Sequence, residues 1–210
     1  MNRPSTVDYA LYLVTDQKLS RGRSTLEIVR GAVSGGVTCV QLREKEASTR
    51  TFIEEARAIK AWLDDKGVPL IINDRVDVAL AVGASGVHLG QSDMHIRDAR
   101  SLLPPEALIG ISAESLEDAL AAEREGADYI GVSPVFATPT KTDTATPLGL
   151  DGVRQIRAAV DIPIVGIGGI GLANAAEVMA AGADGIAVVS AIVAADDPHK
   201  AARGLKKKIG

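Results

Sequence analysis

The sequence predicts an α/β protein folded as a (β/α)8 (TIM) barrel, a single domain over residues 1–210. Three observations carry that expectation. Short apolar runs alternate with amphipathic helical patterns eight times along the chain. The runs are apolar nearly throughout, as strands are when a parallel sheet is covered on both faces. The segments AVGASGVHL, REGADYIGV and AAGADGIAVV are near-copies of one unit: a helix end, a glycine and a strand. Such a weak internal repeat fits a structure assembled from equivalent βα units.

The elements follow in order. The first strand lies in YALYLVT, from Tyr9. A capping box, Ser24-x-x-Glu27, starts the first helix, whose stripe is Leu26, Val29 and Val33. The second strand, VTCVQLR from Val37, leads to a helix with Phe52, Ala56, Ile59 and Leu63 on one face. VPLIIND from Val68 is the third strand, and RVDVALAV begins its helix. GVHLG from Gly86 and ALIGIS from Ala107 follow, separated by MHIRDARSL. Leu116, Ala119 and Leu120 mark the next helix and DYIGVS, from Asp128, the sixth strand. The longest irregular stretch, SPVFATPTKTDTATPLGLDG, comes next. IPIVGIGG from Ile162, a stripe of Leu172, Ala175, Val178 and Met179, and DGIAVVS from Asp184 complete the series. Gly67, Gly83, Gly126 and Gly182 each stand where a left-handed residue is wanted to end a helix. An open doubly wound sheet is the competing architecture. It usually has fewer strands and a glycine fingerprint after the first, and YLVTDQKLS carries none.

Composition narrows the class. The chain has 210 residues, 46% hydrophobic and 24% charged, with a formal net charge of −4. A chain this long buries roughly 70% of its unfolded surface, so no disulfide or metal staple is required. Mild acidity argues against a nucleic-acid partner. The one basic run, Lys206–Lys208, reads as a solvated helix end. No stretch nears the ~18 apolar residues of a membrane span, and the N-terminal segment has no apolar signal core. The expectation is a cytoplasmic protein with no membrane partner. One cysteine, Cys39, excludes an intrachain disulfide framework and a multi-cysteine zinc site. Aromatics are 3% against 21 glycines, so the barrel must be filled by aliphatic and small residues.

In such a barrel the chemistry gathers at the C-terminal strand ends. The second strand runs into Gln41, Arg43 and Lys45, which share one face by the two-residue period. An amide and two cations suit an anionic ligand bearing a polar ring; a solvated strand end accounts for them equally well. The third strand ends in Asn73-Asp74 and the fourth leads to Asp93. Two carboxylates at adjacent strand ends suit Mg²⁺, which takes few protein carboxylates and keeps waters and substrate phosphates. Read singly, each aspartate is as well placed to cap the helix that follows. Ser112 ends the fifth strand and shares that ambiguity with Ser115. The long loop carries Thr138, Thr140 and Lys141, and a loop of this length in a compact barrel is a candidate lid. The seventh strand ends in Gly168-Gly169 and the eighth in Val189-Ser190, where barrels frequently bind phosphate. His88 reads as a satisfied core or mouth histidine, His95 and His199 as surface helix residues, and Cys39 as a buried small residue.

Taken together, QLREK at 41–45, IND at 72–74, HLGQSD at 88–93, ATPTKTD at 137–143 and VGIGGI at 165–170 resemble the thiamine phosphate synthase (thiamine-phosphate pyrophosphorylase) family. The resemblance runs from LYLVTD to VVSAI. It implies a transferase that joins 4-amino-5-hydroxymethyl-2-methylpyrimidine diphosphate to 4-methyl-5-(2-hydroxyethyl)thiazole phosphate, giving thiamine phosphate and pyrophosphate with Mg²⁺. It implies that Gln41, Arg43, Lys45, Asn73, Ser112 and Lys141 hold the pyrimidine diphosphate, with Arg43, Lys45 and Lys141 also catalytic. It implies Asp74 and Asp93 as metal ligands, and Thr138, Thr140, Gly169, Val189 and Ser190 as the thiazole phosphate site. The family pattern favours Gly169 over Gly168. A thiazole tautomerase on the same scaffold is the nearest alternative, but it tends to carry a histidine two residues after Ser112, where this chain has Glu114. A non-catalytic phosphate-binding barrel is the other; it predicts an eroded carboxylate pair. The sequence leaves a homo-oligomer open.

Overall fold

The computed structural model describes residues 7–138 and 146–210. Among them, eight parallel strands close into a barrel in the order β1 to β8: Leu11–Val14, Cys39–Leu42, Leu70–Asn73, Gly86–Leu89, Leu108–Ala113, Tyr129–Val132, Ile164–Ile167 and Gly185–Val188. β1 pairs with β2 on one side and β8 on the other, so the open doubly wound alternative is excluded. The helices are α1 (Thr25–Ser34), α2 (Thr49–Asp64), α3 (Val76–Val82), α4 (Ile96–Leu102), α5 (Leu116–Arg124), α6 (Gly149–Ala159), α7 (Ala175–Ala180), α8 (Ser190–Val193) and α9 (Pro198–Ile209).

Strand alternation divides the core in two. Leu11, Leu13, Val40, Leu42, Leu70 and Ile72 point outward and pack under the helices. Tyr12, Val14, Cys39, Ile71, Tyr129, Val165 and Ala187 fill the barrel. The capping box at α1 is formed in full, with Ser24 and Glu27 each accepting from the other's backbone N–H. Gly67, Gly83, Gly126 and Gly182 all have positive φ, as the helix-to-strand resets demand.

Three expectations about stripes and caps need correction. On α5 the buried face is Ala119 and Ala122, while Leu116 and Leu120 are 38% and 40% exposed. Leu172 precedes α7 and is 53% exposed; the buried residues of that helix are Ala175 and Val178. Small alanines suffice where a helix lies close against the sheet, leaving the leucines on the flank. His95 is the N-cap of α4, accepting from the Arg97 N–H at 3.2 Å.

The glycines have a task that local patterns did not reveal. Gly110 and Gly131 sit inside β5 and β6, where any side chain weakens the strand least by being present. A Cβ on Gly110 would run into the Tyr129 ring, and one on Gly131 would come within 3.0 Å of the His88 ring. The missing side chains are what seat two rings inside a narrow barrel. Gly110→Ala is therefore expected to destabilise the fold by about 2–3 kcal/mol, since an overpacked core has no room to relax. Thermal unfolding should show Tm lower by roughly 5–10 °C for a chain of this length; an unchanged Tm would refute the tight seat.

Candidate active site

A cavity of about 750 Å³ opens at the C-terminal ends of the strands. Gln41, Arg43, Lys45, Asn73, Asp74, Asp93, Ser112, Thr138, Gly169, Val189 and Ser190 all line it. Thr140 and Lys141, the other two candidates, lie outside the described residues.

β1 and β2 deliver Arg43. Their ladder continues past the strand ends: the Thr15 N–H donates to the Gln41 carbonyl at 2.9 Å and the Arg43 N–H to Thr15 Oγ1 at 2.9 Å. The guanidinium then donates to Asp16 Oδ2 at 2.9 Å. With its side chain 11% exposed, Asp16 holds Arg43 in a place where solvent screens little. The same carboxylate caps the 3-10 turn Gln17–Leu19 by accepting from the Lys18 N–H at 3.0 Å. Asp16 was not among the residues singled out from the sequence. Its signal was a carboxylate just beyond the first strand, beside an arginine just beyond the second. Asn caps as well as Asp, so Asp16→Asn should keep the turn and lose the charge pairing. Charge-assisted hydrogen bonds contribute about 1.5–3 kcal/mol, so kcat/KM is expected to fall by roughly 10-fold or more with Tm little changed. Parallel kinetics and melting would check this; equal activity would refute the orienting role.

The carboxylates come together by two unusual turns. Asp74 has φ 61, a left-handed conformation that is costly for a residue with a Cβ and tolerated best by Asn and Asp. Its N–H donates to the His88 carbonyl at 2.9 Å, so β3 and β4 remain paired as the chain turns. The helix-cap reading is wrong for both aspartates: Arg75 occupies the N-cap of α3 and His95 that of α4. Asp93 instead folds back over β4, accepting from the Gly90 N–H at 2.7 Å. Burial, together with a hydrogen-bonding contact to the Asp74 carboxyl, raises the Asp93 pKa from its ordinary value. Lys45 forms an ion pair with Asp74. Two facing carboxylates, one of them reluctant to ionise, form a donor set that fits a hard divalent cation. Among the described residues no group of three or more His, Cys, Asp or Glu is placed to hold a metal. Mg²⁺ fits the pair because it relies on waters and phosphates for its remaining positions.

Ser112 is likewise not a cap: Ser115 takes that position on α5, accepting from the Asp118 N–H at 3.1 Å. Ser112 Oγ lies 2.9 Å from His88 Nε2.

The opposite wall is made of backbone. Gly168 and Gly169 both have positive φ. A Cβ on Gly169 would come within 2.6 Å of the Ala137 carbonyl, so this glycine also lets the β6–α6 loop lie against the end of β7. The Phe136 N–H donates to the Gly168 carbonyl at 3.0 Å, which closes that contact. Val189 caps the short helix α8, which Ser190 begins, and both residues line the cavity.

A closed (β/α)8 barrel with a cationic, carboxylate-bearing wall facing a glycine and helix-start wall has the form of an enzyme that handles phosphorylated small molecules. A family model described as thiamine monophosphate synthase matches residues 11–192. The chain belongs to that family. It is 59% identical over 199 residues to the thiamine-phosphate synthase of Albidiferax ferrireducens, covering 95% of this chain and 91% of the relative. It is 61% identical over 200 residues to that of Chloroflexus aurantiacus, covering 95% and 92%. Among solved structures, a thiamine phosphate pyrophosphorylase from Pyrococcus furiosus superposes with a TM-score of 0.90 at 43% identity, covering 97% of this chain and 96% of that one.

Proposed function

We propose that this chain is a transferase of the thiamine-phosphate synthase kind that condenses 4-amino-5-hydroxymethyl-2-methylpyrimidine diphosphate with 4-methyl-5-(2-hydroxyethyl)thiazole phosphate. The products are thiamine phosphate and pyrophosphate, and the reaction requires Mg²⁺. One observation supports the reading beyond the family: Gln41, Arg43, Lys45, Asp74 and Asp93 line the same cavity as Gly169, Val189 and Ser190, so one space could take both a diphosphate and a phosphate.

Gln41, Arg43, Lys45, Asn73, Ser112 and Lys141 hold the pyrimidine diphosphate. Thr138, Thr140, Gly169, Val189 and Ser190 hold the thiazole phosphate. The attacking atom is the thiazole ring nitrogen, which has no proton to lose, so the site needs no general base. The demanding event is departure of pyrophosphate from the pyrimidine methylene, where electron donation from the aminopyrimidine stabilises cationic character. Arg43, Lys45 and Lys141 neutralise charge growing on the leaving group, an effect commonly worth ~3 kcal/mol or more per donor. Asp74 and Asp93 hold Mg²⁺, which when bound supplies further neutralisation of the diphosphate. Holding both substrates in contact supplies much of the remaining acceleration.

Among the described residues no helix is long and apolar enough to cross a membrane. The enzyme acts on small molecules in the cytoplasm. Incubation with both substrates, with and without Mg²⁺, tests the proposal by following thiamine phosphate and pyrophosphate together. Equimolar, Mg²⁺-dependent appearance of both is expected, and absence of either product would overturn it.

A further inference from the structure

Along the cavity floor runs a line of hydrogen bonds whose inner members, Tyr12, Tyr129 and His88, the reaction scheme above does not use. The Gln41 amide nitrogen donates to the Tyr12 hydroxyl at 3.1 Å. Tyr12 and Tyr129 hydroxyls are 2.9 Å apart, deep in the barrel. Tyr129 OH lies 3.0 Å from His88 Nδ1, and His88 Nε2 lies 2.9 Å from Ser112 Oγ. Five strands contribute: β2, β1, β6, β4 and β5. Gly110 and Gly131 are the gaps in which the two inner rings sit.

We propose that this line is a one-way relay that fixes His88 as the neutral Nε2–H tautomer and turns the Ser112 hydroxyl proton into the cavity. The direction is set at one end. An amide NH₂ only donates, so Tyr12 accepts from Gln41; its own proton goes to the Tyr129 oxygen, a stronger acceptor than the Cys39 thiol that also contacts Tyr12. Tyr129, having accepted, spends its proton on His88 Nδ1. A neutral imidazole accepting at Nδ1 carries its proton on Nε2, and that N–H donates to Ser112 Oγ. Ser112 thus has its own proton free to give. Burial and, for Tyr12, the adjoining Tyr129 raise both phenol pKa values well above the ordinary value, so each link keeps the one proton it passes on. The polarity matters to an anionic ligand. A Ser112 that gave its proton to His88 would offer the diphosphate only lone pairs; a Ser112 that accepts from His88 offers it an O–H. Tyr12, Tyr129 and His88 are then positioning residues for Gln41 and Ser112.

The relay is tested without any substrate. Long-range ¹H–¹⁵N correlation on histidine-labelled protein at neutral pH reports the tautomer of each ring, and loss of one signal set in His88→Gln assigns it among the three histidines. His88 is expected as the Nε2–H form. Dominance of Nδ1–H, a mixture, or imidazolium would overturn the proposal. Tyr129→Phe removes the link next to His88, so the preference for Nε2–H should be lost; an unchanged tautomer would show that something else sets it. Should Tyr129→Phe not fold, Tyr12→Phe cuts the relay one link further off and carries the same expectation.

The consequence for binding rests on the function proposed above and is read separately. A hydrogen bond to a charged group is stronger than one between neutral partners. Tyr129→Phe is therefore expected to raise KM for the pyrimidine diphosphate by roughly 10-fold and leave KM for the thiazole phosphate unchanged. In a Ser112→Ala background the same substitution should have little further effect, which is the signature of coupled groups. A full additional 10-fold loss in that background would sink the coupling. Failure of turnover with the tautomer as stated would count against the function and leave the relay intact.

Discussion

Arg43→Ala lowers kcat for thiamine phosphate formation by about 10²–10³, the loss expected when one group aimed at developing charge is removed. The magnitude follows from where Arg43 stands. It reaches the cavity from the end of β2 and is held there by Asp16 at 2.9 Å, its side chain only 26% exposed. A cation so held requires little reorganisation as pyrophosphate departs. The substitution also leaves Asp16 without its cation, and on the proposed reading its charge would then repel the diphosphate. Arg43→Lys should recover only part of the loss, because an ammonium cannot reproduce the guanidinium's fixed donors. Steady-state kinetics with each substrate varied in turn is the check; a kcat within a few-fold of the parent would remove Arg43 from the mechanism.

Asp93→Asn raises the Mg²⁺ concentration needed for half-maximal rate by about 100-fold or more. Lys45 already offsets part of the charge of Asp74, so removing the Asp93 carboxylate leaves little net negative charge to hold the proposed cation. Asp93 is pre-placed by the Gly90 N–H and pressed against Asp74. Its pKa is raised from the ordinary carboxylate value by burial and the Asp74 contact, so in the acidic range a proton competes with the proposed cation there. As pH rises the proton leaves and less Mg²⁺ should be required by the parent enzyme. That pH dependence should flatten in Asp93→Asn, which has no proton at 93 to lose. Titrations of rate against Mg²⁺ at several pH values separate the two enzymes. Identical curves would show that Asp93 does not serve the metal.

The outline of the molecule was legible because its signals are local. A helical stripe such as Phe52, Ala56, Ile59 and Leu63 declares its buried face within a few turns, and the structure buries those four residues. The helix-ending glycines are equally local, since the left-handed conformation belongs to a single residue. Leu116 and Leu120 misled because hydrophobic residues on a helix flank look the same in sequence as those facing a sheet.

The sequence by itself determined the eight strands, their parallel order and the strand ends at which chemistry could gather. A closed barrel then brings those ends to one mouth whatever the intervening helices do. The folded chain alone rules out capping for Asp74, Asp93 and Ser112, because that depends on which neighbour takes the cap. It alone paired Asp16 with Arg43, 27 residues apart, and Tyr12 with Tyr129, 117 residues apart. It alone gave Gly110 and Gly131 their purpose, since a glycine excused by a ring on another strand has no trace in its own neighbourhood. The physical reason is the same in each case: periodicity reports which side of an element is apolar, while a hydrogen bond across the barrel depends on the register of strands that meet only when it closes.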